Sequence, residues 1–215
     1  MSTLLLRFAG PMQAWGADSR FDIRKTNREP TKSGVVGLLA AALGMRRDEP
    51  LDELAALRFG VRVDREGVLL RDFHMVKGEK SSYVTTRYYL CDAAFLVGLY
   101  SRDEALMERL EDAVRHPAYP LFLGRRSCPP EGRLCLGLRD MELEEALRAE
   151  PLLVERKESG SERMRFVLDD PTGGGRAHDV PVSYSPFDRQ YAYRAVRESW
   201  QAVGGSEHDP MQELR

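Results

Sequence analysis

The sequence predicts an α+β fold in which helices lie against one face of an antiparallel sheet. Three observations predict it. Runs of strand length, "TLLLRFA", "LRFGVRVD", "GVLLRDFHMV" and "RLCLGLR", recur between turn signals. Only two stretches before residue 140 carry strong helix signals, around 33–43 and 101–117. Beyond Met141 the texture changes to one short acidic helix and several brief strand candidates. At 215 residues with 42% apolar content the chain can bury a substantial core.

The elements follow in order. "TLLLRFA" reads as a buried first strand, and "GPMQAWGADSRFDIRKTNREPTKS" as a long polar connection, a length that compact domains reserve for loops with a task. Ser33 is a good N-cap and Gly44 a good C′ residue for a helix with Val35, Val36, Leu38, Leu39 and Leu43 spread around it, and a helix apolar on all sides is buried. Two strands follow, then the polar "KGEKSSYVTTR", read as a protruding loop or hairpin tip, and "YYLCDAAFLVGLY", the longest apolar strand candidate. "SRDEALMERLEDAVRHP" is the clearest helix, with Ser101 and Glu104 as a capping box and Pro117 as the stop. Burying two such helices on one antiparallel sheet makes a ferredoxin-like, RNA-recognition-like domain over residues 1–140 the natural candidate. Residues 141–215, with the helix "ELEEALRAE" and the strands "LLVER", "RMRFVL", "HDVPVSY" and "YAYRAV", read as a small β-rich C-terminal domain ending in a frayed tail, "GGSEHDPMQELR".

Basic and acidic side chains nearly balance, 32 against 34, but their distribution is uneven. From Met1 to Arg47 eight basic residues face only Asp18, Asp22 and Glu29. A chain that gathers positive charge at one end can bind a polyanion there and stay near neutral overall. Three cysteines without a CxxC pair point to a reducing compartment, with no metal and no disulfide. The leading apolar run, broken at Arg7, is far short of the roughly 20 residues that span a bilayer, so a cytoplasmic location without membrane contact is expected.

Among possible sites, "PTKSGVVG" lacks the order of a phosphate-binding P-loop, because Lys32 and Ser33 precede the glycines. What it retains is a helix start with unpaired N–H groups, a permissive Gly34 and the cations Lys32, Arg28 and Arg24 just upstream, which suits a phosphate as well as it suits a capped core helix. "FLGRRSCPP" offers a second Gly-Arg-Arg turn, with Arg125 and Arg126 able to fork onto phosphate oxygens. In "GPMQAWG", Gln13 and Trp15 sit on a loop where the indole can stack a base or plug a core edge. His74, near Lys77, Lys80 and Tyr83, is the one histidine placed for metal-free RNA cleavage, although a contact role is the better reading of it. His116 belongs to a helix end, and no serine elbow or dinucleotide fingerprint appears, so neither a catalytic residue nor a cofactor is expected.

Taken in order, "LLLRFAGPMQAWG", "PTKSGVVGLLAAALGMRRDE", "LRDFHMV", "YYLCDAAFLVGL" and "YPLFLGRRSCPP" resemble the CasD family of the type I-E CRISPR complex Cascade. The resemblance covers about Leu4 to Pro130 and implies a RAMP-superfamily domain followed by a small β domain. It further implies a non-catalytic subunit that grips the 5′ handle of the CRISPR RNA, caps the CasC backbone beside the large CasA subunit, and touches target DNA only indirectly. On this resemblance Gln13, Trp15, Arg24, Arg28, Lys32, Ser33, Gly34, Arg125 and Arg126 are the expected RNA contacts. A β-hairpin thumb over about 75–88 would present His74, Lys77, Tyr83 and Arg87 to the neighbouring subunit. The alternative, a metal-independent endoribonuclease acting on repeat RNA, is implied by I-C relatives; subtype I-E assigns that task to CasE.

Overall fold

A computed structural model describes residues 1–16, 23–78, 82–154 and 163–202. Lys80, the last two residues of "LLVER" and the tail lie outside them. The first half contains β1 (Ser2–Ala9), β2 (Met12–Gln13), β3 (Ile23–Arg24), α1 (Lys32–Ala42), α2 (Asp52–Ala55), β4 (Arg58–Arg65), β5 (Val68–Lys77) and β6 (Ser82–Cys91). The second contains β7 (Ala94–Ser101), α3 (Glu104–Arg115), β8 (Cys135–Arg139), α4 (Leu143–Ala149), β9 (Arg163–Asp169), β10 (Gly175–Tyr184) and β11 (Arg189–Ala202). The protein is therefore α+β, with a seven-stranded sheet in the order β10-β11-β9-β4-β7-β1-β8, antiparallel throughout. A second, smaller sheet carries β2 and β3 beside β6, with β5 pairing β6 as a hairpin. No described helix is long and apolar enough to cross a membrane.

The period of two in β1 divides the core. Leu4, Leu6 and Phe8 join Val35, Val36 and Leu39 of α1 and Met107 and Leu110 of α3 on one face, while Leu5 turns to the other, where Leu143 and Leu147 of α4 meet Phe166 and Leu168. Each such side chain contributes about 1.5–3 kcal/mol when fully buried. Gly60 and Gly98 stand side by side on the α4 face. A Cβ on Gly98 would lie 2.7 Å from Leu143 Cδ1, and one on Gly60 would lie 2.6 Å from Leu168 Cδ2. Two missing side chains thus let α4 settle onto the strands.

The sheet runs across residues 140/141, because β9 pairs with β4 and α4 packs on β4, β7 and β1. The C-terminal strands extend the first sheet instead of forming one of their own. Other boundaries differ from expectation for identifiable reasons. Thr31, not Ser33, caps α1, its Oγ1 accepting from the Gly34 N–H at 3.2 Å. Asp103, not Ser101, caps α3, accepting from the Leu106 N–H at 3.0 Å. "SSYVTTR" belongs mostly to β6, since each residue from Ser82 to Arg87 has a partner along β5. Asp92, at φ 56°, breaks "YYLCDAAFLVGLY" into the end of β6 and the whole of β7. "LLV" of "LLVER" is not a strand: the buried Arg62 takes the carbonyls of Leu147, Glu150 and Pro151, and Asp64 takes the Leu153 N–H.

One buried cluster fastens α1 to the C-terminal hairpin. The Lys32 N–H donates to Asp179 Oδ2 at 2.8 Å, and the Lys32 ammonium meets Asp169 Oδ2 at 3.0 Å. Arg194 bridges the two carboxylates, reaching Asp169 and Asp179 at 2.6 Å each, and lies over the Phe59 ring. Asp169 also accepts the Phe59 N–H at 3.0 Å. Burial works against the charge on Arg194, but Asp179 and Asp169 outweigh it and hold its pKa above the ordinary value. Two cations and two carboxylates balance, which is the condition for placing four charges in the interior. Tyr184 completes the contact, its hydroxyl donating to the Ser33 carbonyl, and burial pushes its pKa well up.

Two outcomes follow from this packing. Asp179→Ala leaves two buried cations, Lys32 and Arg194, to share Asp169 alone and unpairs the first N–H of α1, and it is expected to lower unfolding free energy by about 3–5 kcal/mol, read from the urea midpoint at constant slope. Gly98→Val overpacks the floor under α4 and should cost about 1–3 kcal/mol in the same assay; a midpoint equal to the parent's would contradict either placement.

Candidate nucleic-acid interface

Four of the expected RNA contacts are buried and a fifth, Gly34, is half-buried. Gln13 is fully buried, its Nε2 donating to the carbonyls of Phe8 (3.1 Å) and Ala93 (2.9 Å) while its Oε1 accepts from Trp15 Nε1 (3.1 Å). Trp15 is 1% exposed and stacks on Phe8 with ring centroids 5.2 Å apart, so neither face is open to a base. Lys32 is 5% exposed and spent on Asp169, and Ser33 is buried beneath Tyr184. A Cβ on Gly34 would lie 2.9 Å from Trp15 Cε3, so that glycine makes room for an indole, not for a ligand. The anion that the start of α1 calls for is Asp179, supplied from 147 residues away. These side chains shape the surface from beneath.

Above them the chain brings distant cations together. The loop holding Trp15 is zipped to the Gly-Arg-Arg turn, the Ala14 N–H donating to the Leu123 carbonyl at 3.1 Å. Gly124, at φ +84°, sits so close that a Cβ would lie 1.8 Å from the Ala14 carbonyl oxygen, which no side chain tolerates. Arg125 then lies over the Tyr89 ring at 4.7 Å and donates through Nη2 to the carbonyls of Arg24 (2.9 Å) and Lys25 (3.3 Å). This strut fixes β3 against β6, where Arg24 stands opposite Arg87. The side chains of Arg24 and Arg126 are left exposed. Arg28 is exposed as well, in a surface pair with Glu66 at 2.9 Å. Such a pair contributes about 0–1 kcal/mol, little enough to be exchanged for another anion.

The β5–β6 hairpin is longer than the expected 75–88, its described arms running Val68–Lys77 and Ser82–Cys91. Its pleat separates residues that are close in sequence. His74, Tyr83 and Arg87 share one face; Lys77 lies on the other with Arg71, Phe73, Met75 and Val84. His74 and Lys77 therefore do not converge on a common substrate atom, and His74 is hydrogen-bonded to Asp72. Burial raises the thiol pKa values of Cys91 and Cys128, the reverse of what a nucleophile needs. The exposed apolar row Leu69, Phe73, Met75 and Val84 is not among the expected site residues, although its spacing of two signals it. The arrangement can hold a polyanion by fixed and exposed guanidinium groups and offer an apolar ribbon to a partner.

Comparison with known proteins agrees with this architecture. The family model for the CRISPR-associated protein family Cas5 matches residues 3–197. The chain is 44% identical over 158 residues to the CRISPR system Cascade subunit CasD of Escherichia coli (strain K12), covering 63% of this chain and 70% of that protein. A Cas protein crystal structure is 45% identical with a TM-score of 0.77, covering 94% of this chain and 95% of the other. A chain of a CRISPR RNA-guided surveillance complex is 34% identical with a TM-score of 0.81, covering 99% of this chain and 97% of the other. With the family pattern matched from β1 into β11 and the fold shared nearly end to end, the chain belongs to the CRISPR-associated Cas5 family.

Proposed function

We propose that this chain is a non-catalytic, RNA-binding subunit of a type I-E CRISPR surveillance complex that holds the 5′ handle of the CRISPR RNA in antiviral defence. The observation that carries the reading is likeness over nearly the whole chain to a subunit of a CRISPR RNA-guided surveillance complex. Its residue-level support is the group of cations that Arg125 assembles around β3, with Arg24 and Arg126 outward and Arg28 beside them. Handle phosphates pair with these groups, and Arg125 sets the platform on which they stand.

The strand order β8-β1-β7-β4, with α1 and α3 on one face, supports a ferredoxin-like RAMP core. The β5–β6 hairpin is the thumb, presenting Tyr83, His74 and Arg87 on one face and the apolar row with Lys77 on the other. Its partner is the CasC backbone, which the subunit caps beside CasA, so target DNA is met only through the assembly. The working compartment is the cytoplasm. Separation of His74 from Lys77 across the hairpin favours this binding role over RNA cleavage.

Replacing Arg24 and Arg126 together by alanine is expected to weaken binding of repeat-derived handle RNA. It should also flatten the plot of log affinity against log salt by about 0.7 for each phosphate that the variant no longer neutralises. Filter binding at several salt concentrations reads both quantities, and unchanged affinity with unchanged slope would overturn the proposal.

A further inference from the structure

The chain has two tryptophans, and they stand in opposite relation to solvent. Trp15 is 1% exposed; Trp200, on β11, is 53% exposed and belongs to neither core cluster. Trp200 lies opposite Arg165 of β9 in the sheet register and forms one wall of an open cleft of about 280 Å³. Arg65 and Arg163 line the same cleft. Arg165, almost wholly buried, is held by Glu29 at 2.9 Å, with Glu66 at 3.5 Å and Glu198 at 3.8 Å, so the base of the cleft is a fixed ion cluster in which carboxylates outnumber guanidinium groups and the cations at its rim are Arg65 and Arg163. Arg65 is anchored by its Nε donating to the Asp92 carbonyl. Asp64, the remaining acid, is spent on Arg62 at 2.7 Å.

Glu66 ties this cleft to the surface described above, because it pairs with both Arg28 and Arg165. An exposed indole on a rigid strand, with arginines at its side and a cationic loop adjoining, matches the chemistry that holds unpaired nucleotides. The ring stacks a base of any identity, and guanidinium groups meet the flanking phosphates. We propose that Trp200 is a stacking platform for one unpaired RNA nucleotide, with Arg65 and Arg163 on its phosphates. The inference rests on the RNA-binding reading and adds a base subsite to it, on the C-terminal strand rather than at Trp15, where the loop sequence invited one.

Fluorescence tests it on the full chain, since only Trp200 is open to a neutral quencher such as acrylamide. Single-stranded repeat RNA should quench Trp200 emission and shield it from acrylamide, whereas inorganic polyphosphate, which has charge but no bases, should not quench it. Trp200→Ala should weaken RNA binding by about 5- to 150-fold, the contribution of one stacked base, and Trp200→Phe should recover most of the loss. RNA that binds the parent chain while leaving acrylamide quenching unchanged overturns the inference and leaves the RNA-binding reading standing; that is also the result if Trp200 serves a protein partner. A parent chain that binds no RNA defeats both.

Discussion

The carboxylate of Asp179 at the start of α1 is the contact on which the rest of the structure depends. It takes the N–H of Lys32 and the guanidinium of Arg194; Arg194 grips Asp169, which receives the Lys32 ammonium and the Phe59 N–H. One charge-balanced cluster thereby joins the buried helix, β4, β9 and the β10–β11 hairpin. Because each ion is desolvated and each is matched, the cluster tolerates little rearrangement, and it fixes where the C-terminal strands lie. It also satisfies the positive end of α1 from within, so no external anion is needed there.

That internal anion moves the polyanion surface outward. In the proposed function RNA meets the layer above: Arg24 and Arg126, held in place because Arg125 stacks on Tyr89 and ties down the backbone of β3. The buried pair Gln13 and Trp15 serves this layer by locking the first loop against Phe8, and Gly124 lets the Gly-Arg-Arg turn close over it. The proposed binding residues are long, exposed cations on a platform whose rigidity comes from buried neighbours, which reconciles a loop-borne surface with defined geometry. The hairpin, by contrast, exposes apolar side chains on both faces, Val68, Leu70 and Val76 on one and Leu69, Phe73 and Met75 on the other, as suits contact with other macromolecules.

Much of the fold was legible because its signals are local: β1 and β7 declare themselves as short continuous apolar runs, β4 by alternation, and α3 by its amphipathic face. The identity of the anion at α1 was not legible. Local rules state that a helix start with Lys32 nearby favours negative charge, but not whether it comes from a ligand or from Asp179, far along the chain. The same limit governs the tryptophans. Nothing in their sequence neighbourhoods separates them, and only the fold reveals that Phe8 and Gln13 enclose Trp15 while Trp200 stays open. Caps failed for a nearer reason, since Thr31 and Ser33, or Ser101 and Asp103, offer equivalent oxygens two residues apart, and the choice rests on where the chain enters the helix. The 140/141 division reflected a true change in composition, yet the strands beyond it add to an existing sheet edge at β4, which pattern alone does not specify.

The most direct test of this account is a photo-cross-linking map of thiouridine-bearing handle RNA on the full chain, read by mass spectrometry. Cross-links are predicted in the segments holding Arg24 and Arg126 and absent from Thr31–Gly34. Efficient cross-linking to Lys32 or Ser33, with none at Arg24 or Arg126, would contradict it.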